Sequence, residues 1–307
     1  MELLKELCGI HAPSGNEIKM TDFLLNYIEK NKSSWKVRPE IFSGDGFQDC
    51  IMLKFGKPTT AIFAHIDSIG FTVKYNKEIV KIGGPRTIEG TKLVGKDSKG
   101  DIECELIIIE DEKGREHYEY VCDREIDRGT DLVFKREFIE TDSHVQSCYM
   151  DNRLGVWNAL QVAETLENGV ICFSCWEEHG GGSVGYLAKH MFENWGVKQA
   201  LISDITWITE GVVDGGGVAI STRDSGIPRR SYINRIRALA EESGVSYQLE
   251  VENAGGSDGN ALQKSPYPFD WCFIGAAEHN VHSPTEKVNK ADIVEMVKLY
   301  EYLMRKL

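Results

Sequence analysis

The sequence predicts an α/β protein with a mostly parallel central sheet flanked by helices and a small inserted all-β domain. At both ends of the 307-residue chain, helical and strand-like apolar patterns alternate, as they do in sheets that helices cover on both faces. From about residue 74 to residue 147 the pattern changes to short alternating segments and glycine turns without a convincing helix, which is typical of an all-β unit. We therefore expect a catalytic domain made of residues 1–73 and 148–307, and a β-barrel-like domain made of residues 74–147.

The segment before the insertion is predicted to contain two helices and one strand. Leu3, Leu4 and Leu7 have helical spacing and indicate an opening helix that stops near Pro13. Ser14 and Glu17 are three residues apart, the spacing of a capping box, and predict the start of a second helix. The apolar run at residues 60–65 indicates a buried strand.

The segment after the insertion returns to the alternation of helices and strands. Helices are predicted around residues 154–166, 233–239 and 293–304, and strands at residues 170–175, 201–204, 247–251 and 271–274. Such alternation favours strands that run parallel, because each returning helix covers a face of the sheet.

Composition excludes several classes of function. The charge of -13 disfavours nucleic-acid binding, which needs a clustered basic surface. No apolar run is long enough to cross a membrane and no signal peptide is visible, so we expect a cytoplasmic protein without a membrane partner. The eight cysteines lie mostly in apolar contexts and are interpreted as buried thiols. The Cys172 and Cys175 pair lacks the second pair that a zinc ribbon requires.

Histidine and acidic side chains are concentrated where predicted strands end. Ligands of open α/β sheets bind outside the carboxyl ends of the strands, and imidazole and carboxylate groups are the ligands that zinc and similar metals prefer. The candidates are His65, Asp67, Asp151, Glu177, Glu178, Asp204 and His282. Two neutral imidazoles and three carboxylates would balance two divalent ions and one hydroxide, whereas one ion would leave the site too anionic.

Each candidate also has a simpler interpretation when it is taken alone. A single histidine is more often structural than a metal ligand, Asp151 suits a helix cap, and Glu177 with Glu178 suits a solvated turn. Only the joint placement at successive strand ends favours a metal site. We interpret His11, His117, His144 and His190 as structural and leave His179 and His279 open.

Five short motifs occur in an order that resembles the M42 family of glutamyl and related aminopeptidases, within the clan of co-catalytic zinc peptidases. The likeness begins at Pro13-Ser14-Gly15-x-Glu17 and covers nearly the whole chain. The motifs are His65-Ile66-Asp67-Ser68-Ile69-Gly70, Asp151-Asn152-Arg153, Glu177-Glu178-His179-Gly180, Ser203-Asp204-Ile205-Thr206 and His282-Ser283-Pro284-x-Glu286. Each motif alone is weak, and the five together in order are specific.

The resemblance implies two divalent metal ions per subunit, zinc or cobalt. His65 and Asp204 would bind one ion, Glu178 and His282 the other, and Asp151 would bridge them. It also implies a homo-oligomer, between a dimer and a dodecamer, that acts on short peptides.

Three further residues receive roles around this metal pair. By the resemblance, Glu177 would be the general base that takes a proton from a bridging water. Asp67 lies two residues after His65 in an extended segment, so both side chains point the same way. Asp67 would then hold the imidazole from behind. Asp258 follows a glycine pair and is a candidate substrate-binding residue, although an Asx-capped turn explains it equally well.

Other functions stay open at this point. The same metal site would serve a carboxypeptidase, a dipeptidase or an N-acyl amino-acid deacylase. These would need arginine, such as Arg153, Arg223 or Arg229, or a helix N-terminus to receive a carboxylate. A glycosidase needs two carboxylates and no histidine ligands. A non-catalytic binding protein on the same scaffold would be expected to have lost a ligand or the base.

Overall fold

Two sheets organise the chain, which is described over residues 1–307 by a computed structural model. The first sheet has eleven strands, and the second is a closed barrel of six. The barrel has its own core of 15 buried residues, separate from the 61-residue core of the large sheet. The two sheets are thus separate packing units.

The large sheet is mixed rather than mostly parallel. Its strands are β1 (Glu40–Gly44), β2 (Gln48–Phe55), β3 (Ala61–His65), β10 (Ile139–Glu140), β11 (His144–Ser147), β12 (Gly169–Ser174), β13 (Gln199–Trp207), β14 (Val218–Ser221), β15 (Tyr247–Glu250), β16 (Asp270–His279) and β17 (Glu286–Asn289). Strands β12, β3, β13 and β16 lie side by side and parallel at its centre. The strands flanking this group, β2 and β17, are antiparallel to it.

The predicted "mostly parallel" sheet is therefore correct only for the centre. Four of its ten strand pairings are parallel. The short connections between β1 and β2 and between β16 and β17 make antiparallel hairpins, which need no crossover helix.

The barrel consists of β4 (Gly70–Val73), β5 (Glu78–Ile82), β6 (Lys92–Asp97), β7 (Gly100–Glu110), β8 (Glu116–Val121) and β9 (Asp131–Phe134). These strands close in the order β4-β5-β8-β7-β6-β9. The predicted interval 74–147 overlaps the barrel, but β10 and β11 within that interval pair with the large sheet. The division into two domains stays a prediction.

Seven α-helices accompany the sheets. They are α1 (Glu2–Cys8), α2 (Ile18–Asn31), α3 (Met150–Thr165), α4 (Val184–Trp195), α5 (Arg230–Ser243), α6 (Asp258–Lys264) and α7 (Lys290–Lys306). Helices α3 and α7 pack on each other and on the central strands β13 and β16. No helix is both long and apolar enough to span a membrane.

The capping box predicted at the start of α2 is wrong. Neither side chain caps the helix. Ser14 donates instead to Asp67 (2.6 Å), and Glu17 accepts the backbone N–H groups of Gly15 (2.8 Å) and Trp176 (3.3 Å). The side chains of Ser14 and Glu17 thus hydrogen-bond to residues near the strand ends and not to the helix. The local pattern identified two residues that support the site, although it assigned them the wrong role.

Candidate metal centre

The parallel strands bring the predicted residues together. His65 is the last residue of β3, and its pairing partner on β12 is Ser174. Glu177 and Glu178 follow β12 in a short 3₁₀ turn, Glu177–His179. The register of β3 with β13, which pairs Ala61 with Ala200, brings Asp204 level with His65. All of these groups therefore lie at one edge of the sheet.

Asp151 lies between the two histidines. Its Oδ1 atom is 3.1 Å from Nε2 of His65, and its Oδ2 atom is 3.2 Å from Nε2 of His282. Asp151 reaches this position from the first turn of α3 and is 8% exposed. One carboxylate thus presents a separate oxygen to each imidazole, as a ligand that bridges two cations does.

Each histidine has a second carboxylate beside it. Oδ2 of Asp204 is 3.7 Å from Nε2 of His65, and Oε2 of Glu178 is 3.3 Å from Nε2 of His282. Ligand atoms of His65, Asp151 and Glu178 all lie within 4.8 Å of one another. The Oε1 atom of Glu178 is buried without a hydrogen-bond partner. The donors, their number and this unpaired atom all fit a pair of divalent cations that share Asp151.

Asp67 supports this centre from below. Its side chain is fully buried, and Oδ1 lies 3.3 Å from Nδ1 of His65. The backbone N–H groups of Glu177 and Glu178 each donate to Asp67 over 3.1 Å. One carboxylate therefore orients the imidazole and also fixes the turn that carries the two glutamates.

Below Asp67, the Arg153 guanidinium is fully buried and donates to the backbone carbonyls of Ile66 and, over 3.3 Å, Asp67. Arg153 thereby holds the segment after β3 and does not face the cleft.

The electrostatics of the centre call for added positive charge. Burial and then the neighbouring carboxylates raise the pKa values of Glu178 and Asp204 well above the usual range. Burial opposes protonation of His65, but Asp204, Asp151 and Asp67 outweigh it and raise the pKa of this imidazole. Without bound cations, protonation of these side chains is what reduces the repulsion between the buried negative charges, and bound cations would reduce it instead.

Glu177 is placed differently from its neighbour. Glu177 lines the same cleft as Asp151, Glu178 and His282, yet no imidazole lies against its carboxylate. Burial, and then the charges of Asp204 and other carboxylates, raise the pKa of Glu177 well above its usual range. A carboxylate with a raised pKa beside a reacting centre is suited to accept and return a proton.

The cleft over the centre is acidic beyond the predicted ligands. It encloses about 230 Å³, and no Lys or Arg lines it. Its wall away from the ligands carries Asp224, Glu250 and Glu252, with Trp207 and Phe273 as aromatic surfaces. These acidic residues come from the segments around β14 and β15, and the sequence analysis did not identify them.

Two further buried carboxylates, those of Glu286 and Glu278, lie behind the centre, and the sequence analysis did not identify them as part of it. Oε2 of Glu286 accepts the backbone N–H of Asp151 over 3.2 Å. Glu278 is 1% exposed, and neither of its carboxylate oxygens has a partner. Burial raises the pKa of Glu278 well above its usual range. The continuous buried run of β16 concealed Glu278, because the residues before it have the pattern of an ordinary core strand.

The structure separates Asp258 and the two open histidines from the cleft. Asp258 is 2% exposed, accepts from the Ser174 hydroxyl, and lines an adjoining depression together with Glu177. His179 accepts the backbone N–H of Gly83 over 3.0 Å and so joins the 3₁₀ turn to the loop after β5. His279 lies beside Asp214. The assignment of Asp258 to substrate binding stays a prediction.

Comparisons with known proteins agree with this picture. The model of the M42 glutamyl aminopeptidase family matches residues 93–299. The chain is 24% identical to "Putative aminopeptidase YhfE" of Bacillus subtilis (strain 168), over 99% of this chain and 97% of that protein.

Two solved structures share the fold. Aminopeptidase APDkam598 from the archaeon Desulfurococcus kamchatkensis has a TM-score of 0.84 at 21% identity, covering 100% of this chain and 94% of that one. The Pyrococcus horikoshii TET1 peptidase, which can assemble into a tetrahedron or a large octahedral shell, has a TM-score of 0.80 at 21% identity, covering 100% and 99%. Both likenesses extend over the entire chain, the barrel included.

Proposed function

The chain belongs to the M42 glutamyl aminopeptidase family, and from that premise we propose that it is a two-metal aminopeptidase that removes the N-terminal residue of short peptides. The observation that carries the proposal is the position of Asp151, with one oxygen toward His65 and the other toward His282. Together with Asp204 on one side and Glu178 on the other, this arrangement offers each of two cations a histidine, a carboxylate and a shared bridge.

The charge of the centre supports two cations rather than one. Asp151, Glu178 and Asp204 carry three negative charges, and Glu177 adds a fourth when it is ionised. Two zinc or cobalt ions would balance this charge, and when bound they would acidify a shared water and polarise the scissile carbonyl.

Glu177 would act as the general base. Its carboxylate would accept a proton from the attacking water and return that proton to the nitrogen of the leaving amine. Asp67 would keep Glu177 in place through the backbone N–H that it accepts. The hydrogen bonds that Asp67 accepts from the backbone N–H groups of both glutamates would let one side chain face the cations and the other the water.

The acidic wall of the cleft favours an aminopeptidase over the alternatives on the same metal site. A free α-ammonium group binds to carboxylates, whereas a carboxypeptidase or deacylase must bind a substrate carboxylate. None of the three candidate arginines lines the cleft. Arg153 is buried below it, Arg229 pairs with Asp270, and Nε of Arg223 donates to the carbonyl of Asp224 over 3.2 Å.

We also propose that the chain assembles into a homo-oligomer, between a dimer and a dodecamer, and acts in the cytoplasm. The assembly rests on the fold that it shares with TET1. The location rests on its eight cysteines, all of which are free thiols and seven of which are buried. Light scattering of the purified protein measures the assembly, and a monomer at every concentration would contradict it.

The experiment that tests the activity compares peptides with free N-termini and their N-acetylated copies, with zinc or cobalt present. We expect release of the first residue only from free N-termini, and loss of that release with a chelator. Glu177→Gln should lower kcat by about 10²–10⁴-fold. Glu210→Gln, on an exposed glutamate outside the cleft, is the matched control and should leave kcat unchanged.

The outcomes separate the competing functions. Cleavage of acetylated peptides, or of bonds at the carboxyl end, would assign the centre to a deacylase or carboxypeptidase. Bound metal without turnover of any amide would contradict a peptidase and favour a binding protein.

A further inference from the structure

A second group of histidine and carboxylate side chains lies away from the cleft. It consists of His144 at the start of β11, Asp214 in the loop between β13 and β14, and His279 at the end of β16. One ligand atom from each lies within 4.8 Å of the other two. All three side chains are partly exposed, between 22% and 32%, so water and ions can reach them.

The strand pairing places His144 and His279 on the opposite face of the sheet from Glu286, which supports the metal centre. Side chains alternate along β17, so Lys287 and Asn289 face away from Glu286. Residues that pair across an antiparallel ladder share a face; His279 pairs with Lys287, and His144 pairs with Asn289. Glu286 is the residue that accepts the N–H of Asp151. The group is therefore separate from the proposed two-metal centre.

We propose that His144, Asp214 and His279 form a third divalent-cation site, of the kind that binds zinc. The ligands would be Nε2 of each histidine and the carboxylate of Asp214, with water in the fourth position. Two imidazoles, one carboxylate and an open position make a ligand set that zinc commonly adopts. The site does not depend on the peptidase mechanism, because none of its residues lines the cleft.

The distances fit a tetrahedral ion. Ligand atoms about 2.0–2.2 Å from zinc lie about 3.3 Å from each other in a tetrahedron. Oδ2 of Asp214 is 2.9 Å from Nε2 of His144, a hydrogen bond that the ion would replace, and 3.4 Å from Nε2 of His279.

Two of the proposed ligand groups have a buried polar atom without a hydrogen-bond partner. Nε2 of His279 is buried and forms no hydrogen bond, although it lies 3.4 Å from the Asp214 carboxylate. The other carboxylate oxygen of Asp214, Oδ1, is also buried and unpaired. A divalent cation would give both of these unpaired atoms a partner.

Neighbouring groups orient the proposed ligands. Nδ1 of His144 is 2.8 Å from the Ser143 hydroxyl; if Nδ1 donates this bond, Nε2 is left free for the ion. Asp292 accepts the N–H groups of Gly215 and Gly217, each over 2.9 Å, and so anchors the loop just after Asp214.

A cation here would connect three segments that are distant in the sequence. It would fix the loop of residues 208–217 to β11 and β16. This loop begins directly after Trp207, which lines the cleft over the proposed metal pair. The ion would thus hold in place the loop at the edge of the cleft.

The test measures zinc bound at equilibrium, without reference to activity. Full-length protein is dialysed against buffered zinc at about 1 μM free ion, and protein-bound zinc is counted by mass spectrometry. We expect the His144→Ala/His279→Ala double variant and Asp214→Asn each to bind one zinc fewer per chain than the unmodified protein. His117→Ala, on a partly exposed histidine of the barrel that faces Glu119, is the matched control and should lose none. Equal counts in all four proteins would overturn the proposal.

A second measurement guards against variants that fold poorly. Amide hydrogen exchange of the unmodified protein is compared with and without zinc for residues 208–217. We expect zinc to slow exchange in this loop at least tenfold in the unmodified protein and in His117→Ala, and to have no such effect in Asp214→Asn. Exchange that zinc leaves unchanged in the unmodified protein would show that the three side chains form only a metal-free ion pair.

Discussion

Asp67 offers a sharp test of how the proposed centre is built. Replacing it with asparagine keeps the size of the side chain but exchanges one acceptor oxygen for a donor NH₂ group. Asp67 is fully buried, and four donors or ring nitrogens face it. The Ser14 hydroxyl and the N–H of Glu178 lie at Oδ2, and the N–H of Glu177 and Nδ1 of His65 lie at Oδ1.

The size of the effect follows from these contacts. Whichever way the amide is turned, its NH₂ group meets the backbone N–H of Glu177 or that of Glu178. A buried N–H without an acceptor costs about 1–3 kcal/mol, and losing a hydrogen bond to a charged group costs about as much again. Asp67→Asn should therefore destabilise the fold by about 2–6 kcal/mol. It should also weaken metal binding about 10–100-fold, because the turn carrying Glu178 and the imidazole of His65 lose their support.

The assay combines denaturant unfolding of the metal-free protein with metal affinity measured against a competing chelator. Ser14→Ala is the matched control, because it removes a single hydrogen bond to the charged Asp67, which should cost about 1.5–3 kcal/mol, and leaves both backbone N–H groups with their acceptor. The reasoning is refuted if Asp67→Asn unfolds no more easily than Ser14→Ala and binds metal with unchanged affinity.

Two further predictions follow from other parts of the structure. Because Asp224, Glu250 and Glu252 face the cleft and no Lys or Arg does, we expect higher kcat/KM for peptides that begin with lysine or arginine than for those that begin with glutamate. Glu252→Gln should reduce the ratio of kcat/KM for lysyl or arginyl peptides to kcat/KM for glutamyl peptides about fivefold, the effect of about 1 kcal/mol at a partly exposed site. Faster turnover of glutamyl peptides by the unmodified protein would contradict this prediction. Burial raises the pKa of Glu17 to about 7 from 4.5, so this group stays protonated in the fold where it is ionised in the unfolded chain. Its contribution to stability is full below pH 4.5 and declines as the pH rises toward 7. Glu17→Gln keeps the acceptor Oε1 and cannot ionise, so its melting temperature relative to the unmodified protein should rise across that window and stay higher above it. A difference in melting temperature that is the same at pH 4.5 and pH 8 would argue against this interpretation.

Much of the site could be predicted from the sequence because its chemistry is tied to strand ends. An apolar run followed at once by a histidine marks such an end at His65, whereas Asp204, which was predicted to end its strand, lies within β13, which continues to Trp207. Parallel strands then bring those ends together, which the pairing of β3 with β12 and β13 bears out.

Other features depend on tertiary contacts that no local pattern records. Ser14 and Glu17 have the spacing of a helix cap, yet their partners are Asp67 and Trp176, which lie far along the chain. Strand β2 has an apolar run like those of the central strands, and β17 has Val288 as its one apolar residue, so neither pattern indicates an antiparallel direction. His144 and His279 are far apart in sequence, and only the shared partner β17 brings them to one face.

The most direct test of the central claim is a crystal of the protein grown with zinc, measured with X-rays at the zinc absorption edge. The proposal predicts two anomalous peaks in the cleft, about 3.5–4 Å apart, one on each side of the Asp151 carboxylate. His65 and Asp204 should bind the ion at one peak, and Glu178 and His282 should bind the ion at the other. A single peak in the cleft at saturating zinc, or two peaks that do not share Asp151, would contradict the two-metal centre.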